Sequence, residues 1–205
     1  MRRSSGKIKG QTAAADRRTV IADVALRLLG QRGARGLTHR AVDREAGLPA
    51  GSTSYYCRTR HDLLALAFRR HAELDHQEIL LQAAAHAGKA LSLELVATVM
   101  AAQLERWSRL KYPHQLTTRF EIFLAAARDP ALAAVTSESR KRFLATLHEV
   151  LRALKLRDPA NIAAALIAFT EGLLLDQARA GRRVLGSGPL RKTLLAILQS
   201  SGKKE

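Results

Sequence analysis

The sequence predicts an all-α protein. Apolar residues recur three and four positions apart along most of the 205-residue chain, the period of one helix face. Proline, glycine and short polar residues interrupt that pattern at spacings suited to separate helices. No stretch alternates apolar and polar residues as a half-buried strand would.

The elements follow in order. Residues 1–15 are small, polar and basic, without apolar period, and read as a flexible arm. A first helix is expected from a cap at Asp16, with Val20, Ile21, Val24, Ala25, Leu28 and Leu29 on one face, closing at Gly33 and Gly36. Thr38 caps a short second helix whose small apolar face is Ala41, Val42 and Ala46. Gly47 stops it, Leu48 plugs the turn, and Pro49 suits the first position of a third helix running to Tyr56. Thr59 and Asp62 form the start pattern of a long helix reaching about Ala85. Gly88 and Ser92 separate it from a helix containing Leu93, Val96, Val99, Met100 and Leu104. Tyr112-Pro113 and Asp129-Pro130 bound the next helix, because the residue before proline is pushed from helical geometry. Residues 131–155 form another helix. Asp158-Pro159 starts one that Gly181 ends, and a last helix covers about Pro189 to Gln199.

The formal net charge is +16, from 34 basic and 18 acidic side chains. Residues 1–60 hold 13 of the basic groups against four acids, and so +9 of the excess. Positive charge concentrated on one part of a chain is the footprint of phosphate binding. No apolar run approaches the roughly 20 residues needed to span a bilayer, and the charged N-terminus has no apolar stretch behind it. The single cysteine, Cys57, rules out an intrachain disulfide and fits a reducing compartment. These features lead us to expect a soluble cytoplasmic protein with no membrane partner.

Leu37 to Leu64, LTHRAVDREAGLPAGSTSYYCRTRHDLL, is the most informative stretch. Two short helices around a tight turn make a helix-turn-helix, whose second helix enters the major groove of double-stranded DNA.

Residues 17–70 resemble the DNA-binding domain of the TetR family of transcriptional regulators. The resemblance rests on the apolar helix Val20 to Leu29, the threonine-capped helix Thr38 to Gly47, the short helix Pro49 to Tyr56 and the continuation Thr59 to Leu64. It covers about a quarter of the chain, in an order and spacing that make it specific. It implies a homodimer that binds a palindromic operator, as a repressor, and is released by a small-molecule effector of unknown identity. The expected layout is a flexible basic arm at 1–15, a helix-turn-helix DNA-binding domain at 16–65, whose end lies in the long helix after Thr59, and a helical ligand-binding and dimerisation domain at 66–200. Carried over position by position, Thr38 meets phosphate, and Arg40 meets phosphate or a base. Ala50, Gly51, Ser52 and Thr53 face base edges, with the Thr53 methyl against a thymine methyl. Tyr55, Tyr56 and Arg60 bind phosphate, while Tyr56 also has a core reading.

Two positions depart from the family pattern. Ser54 stands where an aromatic or larger residue is frequent. Cys57 replaces a bulky apolar residue; it reads as compact core, or as an oxidation sensor if Arg58 and Arg60 lower its pKa.

Other constellations carry less. The seven histidines lack metal-ligand spacing, no phosphate loop or catalytic elbow is present, and no cofactor is implied. Trp107, Tyr112, His114, Phe120 and Phe123 concentrate aromatics on the central helices and read either as a ligand pocket or as core. Glu171 and Asp176 lie within an apolar run, facing ligand, an arginine of a second subunit, or water. Leu147, Leu151, Leu166, Phe169 and Leu173 are the expected dimer interface, as parts of a four-helix bundle. The alternatives are a sequence-independent nucleoid-type binder and an enzyme on a helical scaffold.

Overall fold

A computed structural model of the chain describes residues 5–108, 113–182, 184–200 and 202, with the backbone alone described at 5–15, 83 and 113–115. Among the described residues there are nine α-helices: α1 Ser5–Gly36, α2 His39–Glu45, α3 Ser52–Tyr56, α4 Arg60–Ala85, α5 Leu93–Trp107, α6 Pro113–Ala126, α7 Pro130–Ala153, α8 Pro159–Ala180 and α9 Ser187–Gln199. The all-α class is as expected.

Two boundaries move. Helix α1 starts at Ser5 rather than Asp16; Ala13, Ala14 and Ala15 are strong helix formers and carry it back from the apolar segment. Residues 1–4 of the expected arm lie outside the described residues. Helix α3 starts at Ser52 rather than Pro49, because Gly51 sits in left-handed backbone space at φ 88° and helical φ is negative.

The chain divides into two compact units, Met1–Glu73 with Thr117–Thr136, and Leu74–Leu116 with Ser137–Glu205. The sequence reading placed the first boundary near residue 65 and assigned nothing beyond it to the DNA-binding part. Hydrogen bonds explain the difference. The Thr117 hydroxyl donates to the Gly30 carbonyl at 3.0 Å, and Thr118 donates to Leu26 at 3.3 Å. At Gly33, φ 65° breaks α1, and the half-buried Ala34 N–H donates to the Glu121 carboxylate at 3.2 Å. Ile122, Ala126 and Leu132 join the core formed by Ile21, Leu28, Leu29, Leu37, Val42, Leu63 and Phe68.

Within this first unit, α4 begins with reciprocal caps. The Thr59 N–H donates to the Asp62 carboxylate, and the Asp62 N–H donates to the Thr59 hydroxyl, both at 3.0 Å. This satisfies two amides that the first turn leaves open. Asp62 is held below the ordinary aspartate pKa by the Thr59 backbone and hydroxyl hydrogen bonds. Further along α4, the Arg70 guanidinium grips Asp23 of α1 at 2.6 Å.

In the second unit, α5 packs on α9 and α8, and α8 packs on α9. Ser92 caps α5 and Asp158 caps α8, each accepting an N–H three residues on. By length and composition α8 is long and apolar enough to cross a bilayer, against the reading that no run approached that length. Its buried face, with Ile162, Leu166, Ile167, Leu173 and Leu174, belongs to the core of this unit.

That packing corrects the interface expected from sequence. Leu147, Leu151, Leu166 and Leu173 are buried inside the subunit, and Phe169 is half-buried. The apolar residues left exposed along the middle of α8 are instead Ala164, Ala165, Ala168, Gly172 and Leu175. Leu175 is 52% exposed, and a Cβ on Gly172 would meet nothing within 4 Å. Amphipathic spacing identifies a helix face but cannot say which of two apolar faces turns inward.

Cys57 is only 2% exposed. Burial pushes its thiol pKa up, and the opposing charges of Arg18 and Arg69 do not reverse that. The core reading holds and the sensor reading is corrected. Reactivity needs thiolate and access, and burial removes both. An aromatic disulfide reagent should therefore label native Cys57 at least about a hundredfold more slowly than the urea-unfolded chain, a gap set by the opening free energy. Equal labelling rates in the two states would show that the thiol is not core.

Candidate nucleic-acid interface and ligand pocket

The helix-turn-helix is assembled around one carboxylate that sequence reading passed over. Asp43, on α2, is 4% exposed. Its Oδ1 accepts the Thr53 N–H at 2.8 Å and the Thr53 hydroxyl at 2.5 Å. Its Oδ2 accepts the Gly51 N–H at 2.8 Å. The side chain of α2 thereby caps α3, whose N-cap glycine has no side chain to do so. Burial alone would raise the Asp43 pKa, but the Thr53 and Gly51 hydrogen bonds, with the charge of His39, hold it below the ordinary aspartate range.

The turn supports the same geometry. The Thr38 hydroxyl accepts the Ala41 N–H at 3.2 Å, as its place before the helix predicts. Gly47 has φ 64°, and the Leu48 N–H returns to the Asp43 carbonyl at 2.9 Å. At the exit of α3, His39 Nε2 donates to the Cys57 carbonyl at 2.7 Å.

These contacts sort the expected DNA-facing residues. Thr38, Arg40, Ala50 and Gly51 are exposed and Ser52 is half-buried, its hydroxyl donating to the Pro49 carbonyl at 2.6 Å. Ala50 and Gly51 belong to the turn before α3, not to the helix. Thr53 is a correction: it is 0% exposed and its hydroxyl is spent on Asp43, so its methyl does not face a base. The exposed face of α3 carries Ser54 and Tyr55 instead. Tyr55 is 82% exposed, while Tyr56 packs half-buried against the core and meets Tyr55 edge to face at 5.1 Å. Arg60 donates to the Ala34 carbonyl. Arg44 and Arg58 are exposed on the same motif, and sequence reading did not single out Arg44. An Asp eight residues before the glycine that precedes a short helix was the one available signal for Asp43.

The expected aromatic pocket is only partly assembled. Trp107 lines a cavity of about 80 Å³ in the second unit, together with Val99, Met100, Gln103, Phe143 and Thr170. That volume is below the roughly 150 Å³ that holds benzene in an engineered protein cavity. Phe120 and Phe123 are a correction. They pair edge to face at 6.0 Å in the first unit, where Phe123 packs on the core. Tyr112 lies outside the described residues, as does the His114 side chain. Phe143 and Thr170, from α7 and α8, were missed because they are distant in sequence. Glu171 is bound by Arg140 of the same chain at 2.8 Å, and Asp176 by Arg179 at 2.7 Å. Both acids therefore pair within the subunit. Among the described residues no cluster of His, Cys, Asp and Glu is suited to a metal.

Residues 91–200 match the family model described as tetracyclin repressor-like, C-terminal domain. The chain belongs to the TetR family. TetR proteins are ligand-responsive DNA-binding transcriptional regulators, not a family of enzymes. Solved structures agree with this. A TetR family member from Streptomyces coelicolor A3 is 30% identical, with 88% of this chain and 97% of that one covered at a TM-score of 0.68. The multidrug binding protein EbrR, solved with imidazole, is also 30% identical over 88% of this chain and 94% of its own, at a TM-score of 0.64. A transcriptional regulator from Rhodococcus sp. Rha1 shares the fold at 18% identity, over 90% of this chain and 95% of that one, with a TM-score of 0.74. No curated protein matches by sequence.

The Asp43 cap gives this TetR helix-turn-helix a defined pH response. Its pKa is lower folded than unfolded, so its stabilisation is complete above the ordinary aspartate range and fades as pH falls through the folded value. Asp43→Ala should cost about 3 kcal/mol, since it strands three buried donors. Urea unfolding should register the loss at neutral pH, and the gap from wild type should narrow as the solution is acidified. A gap independent of pH would mean that the carboxylate charge is not what holds α3.

Proposed function

We propose that this protein is a homodimeric, cytoplasmic transcriptional repressor that binds a palindromic operator and releases it when a small molecule enters the second unit. The observation that carries the DNA reading is the exposed Ser54–Tyr55 face of α3, held rigidly by Asp43 and flanked by exposed Arg40, Arg44 and Arg58. In this arrangement the arginines attract and register phosphate, while the two exposed α3 side chains reach the groove floor. Thr38 keeps its expected place at the positive end of α2, where its backbone and hydroxyl meet phosphate. Gly51 and Ala50 allow close approach of the turn. Tyr55 donates its phenolic hydroxyl to DNA, and Tyr56 braces it.

Dimerisation uses the exposed face of α8. Ala164, Ala168, Gly172 and Leu175 recur at three- and four-residue spacing, and the small side chains let two helices approach closely about a two-fold axis. A two-fold pair of reading helices matches a palindrome in half-site spacing. EbrR, which has been solved with malachite green, ethidium and proflavin, supports a small molecule as the released signal here too. The pocket around Trp107 is the site that would receive it. Helix α4 contributes residues to both units, so a ligand that favours one arrangement of its second half shifts the population available to DNA.

Genome-wide recovery of bound DNA tests the reading, and a palindromic consensus is the expected result. Tyr55→Ala should weaken operator binding about tenfold at fixed salt, with less effect on random DNA. Equal loss on both DNAs would favour a nucleoid-type binder. Leu175→Glu should convert the dimer to monomer in sedimentation equilibrium and lose operator affinity with it; a stable dimer would place the interface elsewhere.

A further inference from the structure

The pocket in the second unit contains one polar group that nothing among the described residues satisfies. Gln103, on α5, is 7% exposed, and among the described residues neither its Oε1 nor its Nε2 has a hydrogen-bond partner. A buried amide with both ends unpaired is costly, and such groups in native proteins call for an explanation. The surrounding surface is apolar, with Val99, Met100, Trp107 and Phe143 as neighbours around the cavity. Its other polar members are already engaged. The Thr170 hydroxyl donates to the Leu166 carbonyl at 2.6 Å, and the Gln82 amide oxygen, oriented toward Arg106, accepts from it at 3.3 Å.

Among the described residues, none that lines the cavity is acidic or basic. The nearest acid in sequence on α4, Glu78, is bound by Arg106. A cation entering here would lose its hydration and find no counter-charge, which costs far more than burying a neutral group.

We propose, on the reading of this pocket as the effector site, that its walls move apart beyond the present volume of about 80 Å³, uncover the Gln103 amide and admit a neutral, largely apolar molecule bearing an amide-like edge, such as a carboxamide, lactam or urea. The effector N–H donates to Gln103 Oε1, and its carbonyl accepts from Gln103 Nε2. The two bonds close one ring between effector and side chain, and the apolar remainder lies against Trp107 and Phe143. A lone acceptor or a lone donor would satisfy only half of Gln103.

Trp107 is the single tryptophan of the chain and lines the same cavity, so its emission reports occupancy directly. Full-length protein is titrated with benzamide, with toluene as the apolar analogue and with benzamidinium as the near-isosteric cation. Benzamide is expected to bind at least about tenfold more tightly than benzamidinium, the scale of an unpaired buried charge or amide. Gln103→Leu should weaken benzamide about tenfold and leave toluene unchanged or tighter, a double difference that isolates the paired amide. Gln103→Met, which keeps side-chain length, repeats the comparison if the leucine variant unfolds, as judged by circular dichroism. Equal benzamide affinity in wild type and variant, with Trp107 still responding, overturns the role of Gln103 and leaves the pocket standing. Benzamidinium binding as tightly as benzamide overturns the neutral class. No change in Trp107 emission or melting temperature with any of the three probes overturns both this proposal and the pocket as effector site.

Discussion

The nucleic-acid interface depends on the Asp43 carboxylate. Helix α3 has five residues, too few to be stable alone, because one turn fixes several residues for each hydrogen bond it gains. It has no side-chain cap of its own. Asp43 supplies the missing acceptor from a neighbouring helix, and in doing so locks the Gly51 turn, buries Thr53 and turns Ser54 and Tyr55 outward. One ionised group thus determines which residues of α3 can be read out. That it remains ionised while 4% exposed follows from three donors converging on it, which outweigh the desolvation that would otherwise neutralise it.

The second unit solves a different problem with the same residue types. Helix α8 is apolar on two faces. One completes the core with Leu166, Leu173 and Leu174, and the other leaves Ala168, Gly172 and Leu175 exposed. Its acids do not break this pattern, since Glu171 and Asp176 reach arginines of the same chain. These partly exposed pairs contribute little stability; they keep two charges oriented at the edge of an apolar face. The cavity among α4, α5, α7 and α8 is then a place where core packing was left incomplete, with Gln103 the polar member of its wall that has no partner among the described residues.

Much of the helical framework was legible because its signals are local. Thr38, Thr59 with Asp62, Ser92 and Asp158 each cap the helix their position announced, and Gly47 and Gly181 end theirs. Such signals act over three or four residues, which is the range that sequence spacing resolves. The failures were longer in range. Thr53 looked like a base-reading residue until a partner ten positions earlier claimed it. Phe120 and Phe123 stood close to Trp107 in sequence and belong to another unit. Phe143 and Thr170, which line the same cavity as Trp107, come from helices distant from it in sequence.

By itself the sequence determined the helix order, the family of its N-terminal quarter, the basic character of that quarter and the existence of an apolar helix between Asp158 and Gly181. Helix period, capping chemistry and net charge are properties of short stretches, and they survive any arrangement of the whole. Only the tertiary structure decided which face of each helix is buried. That choice sent Thr53 inward and Tyr55 outward, took Leu166 and Leu173 from the surface of α8, raised the pKa of Cys57 and buried Gln103 in a largely apolar wall. Burial is a property of contacts between distant segments, and it turns a side chain of fixed chemistry into a cap, a core residue or a site.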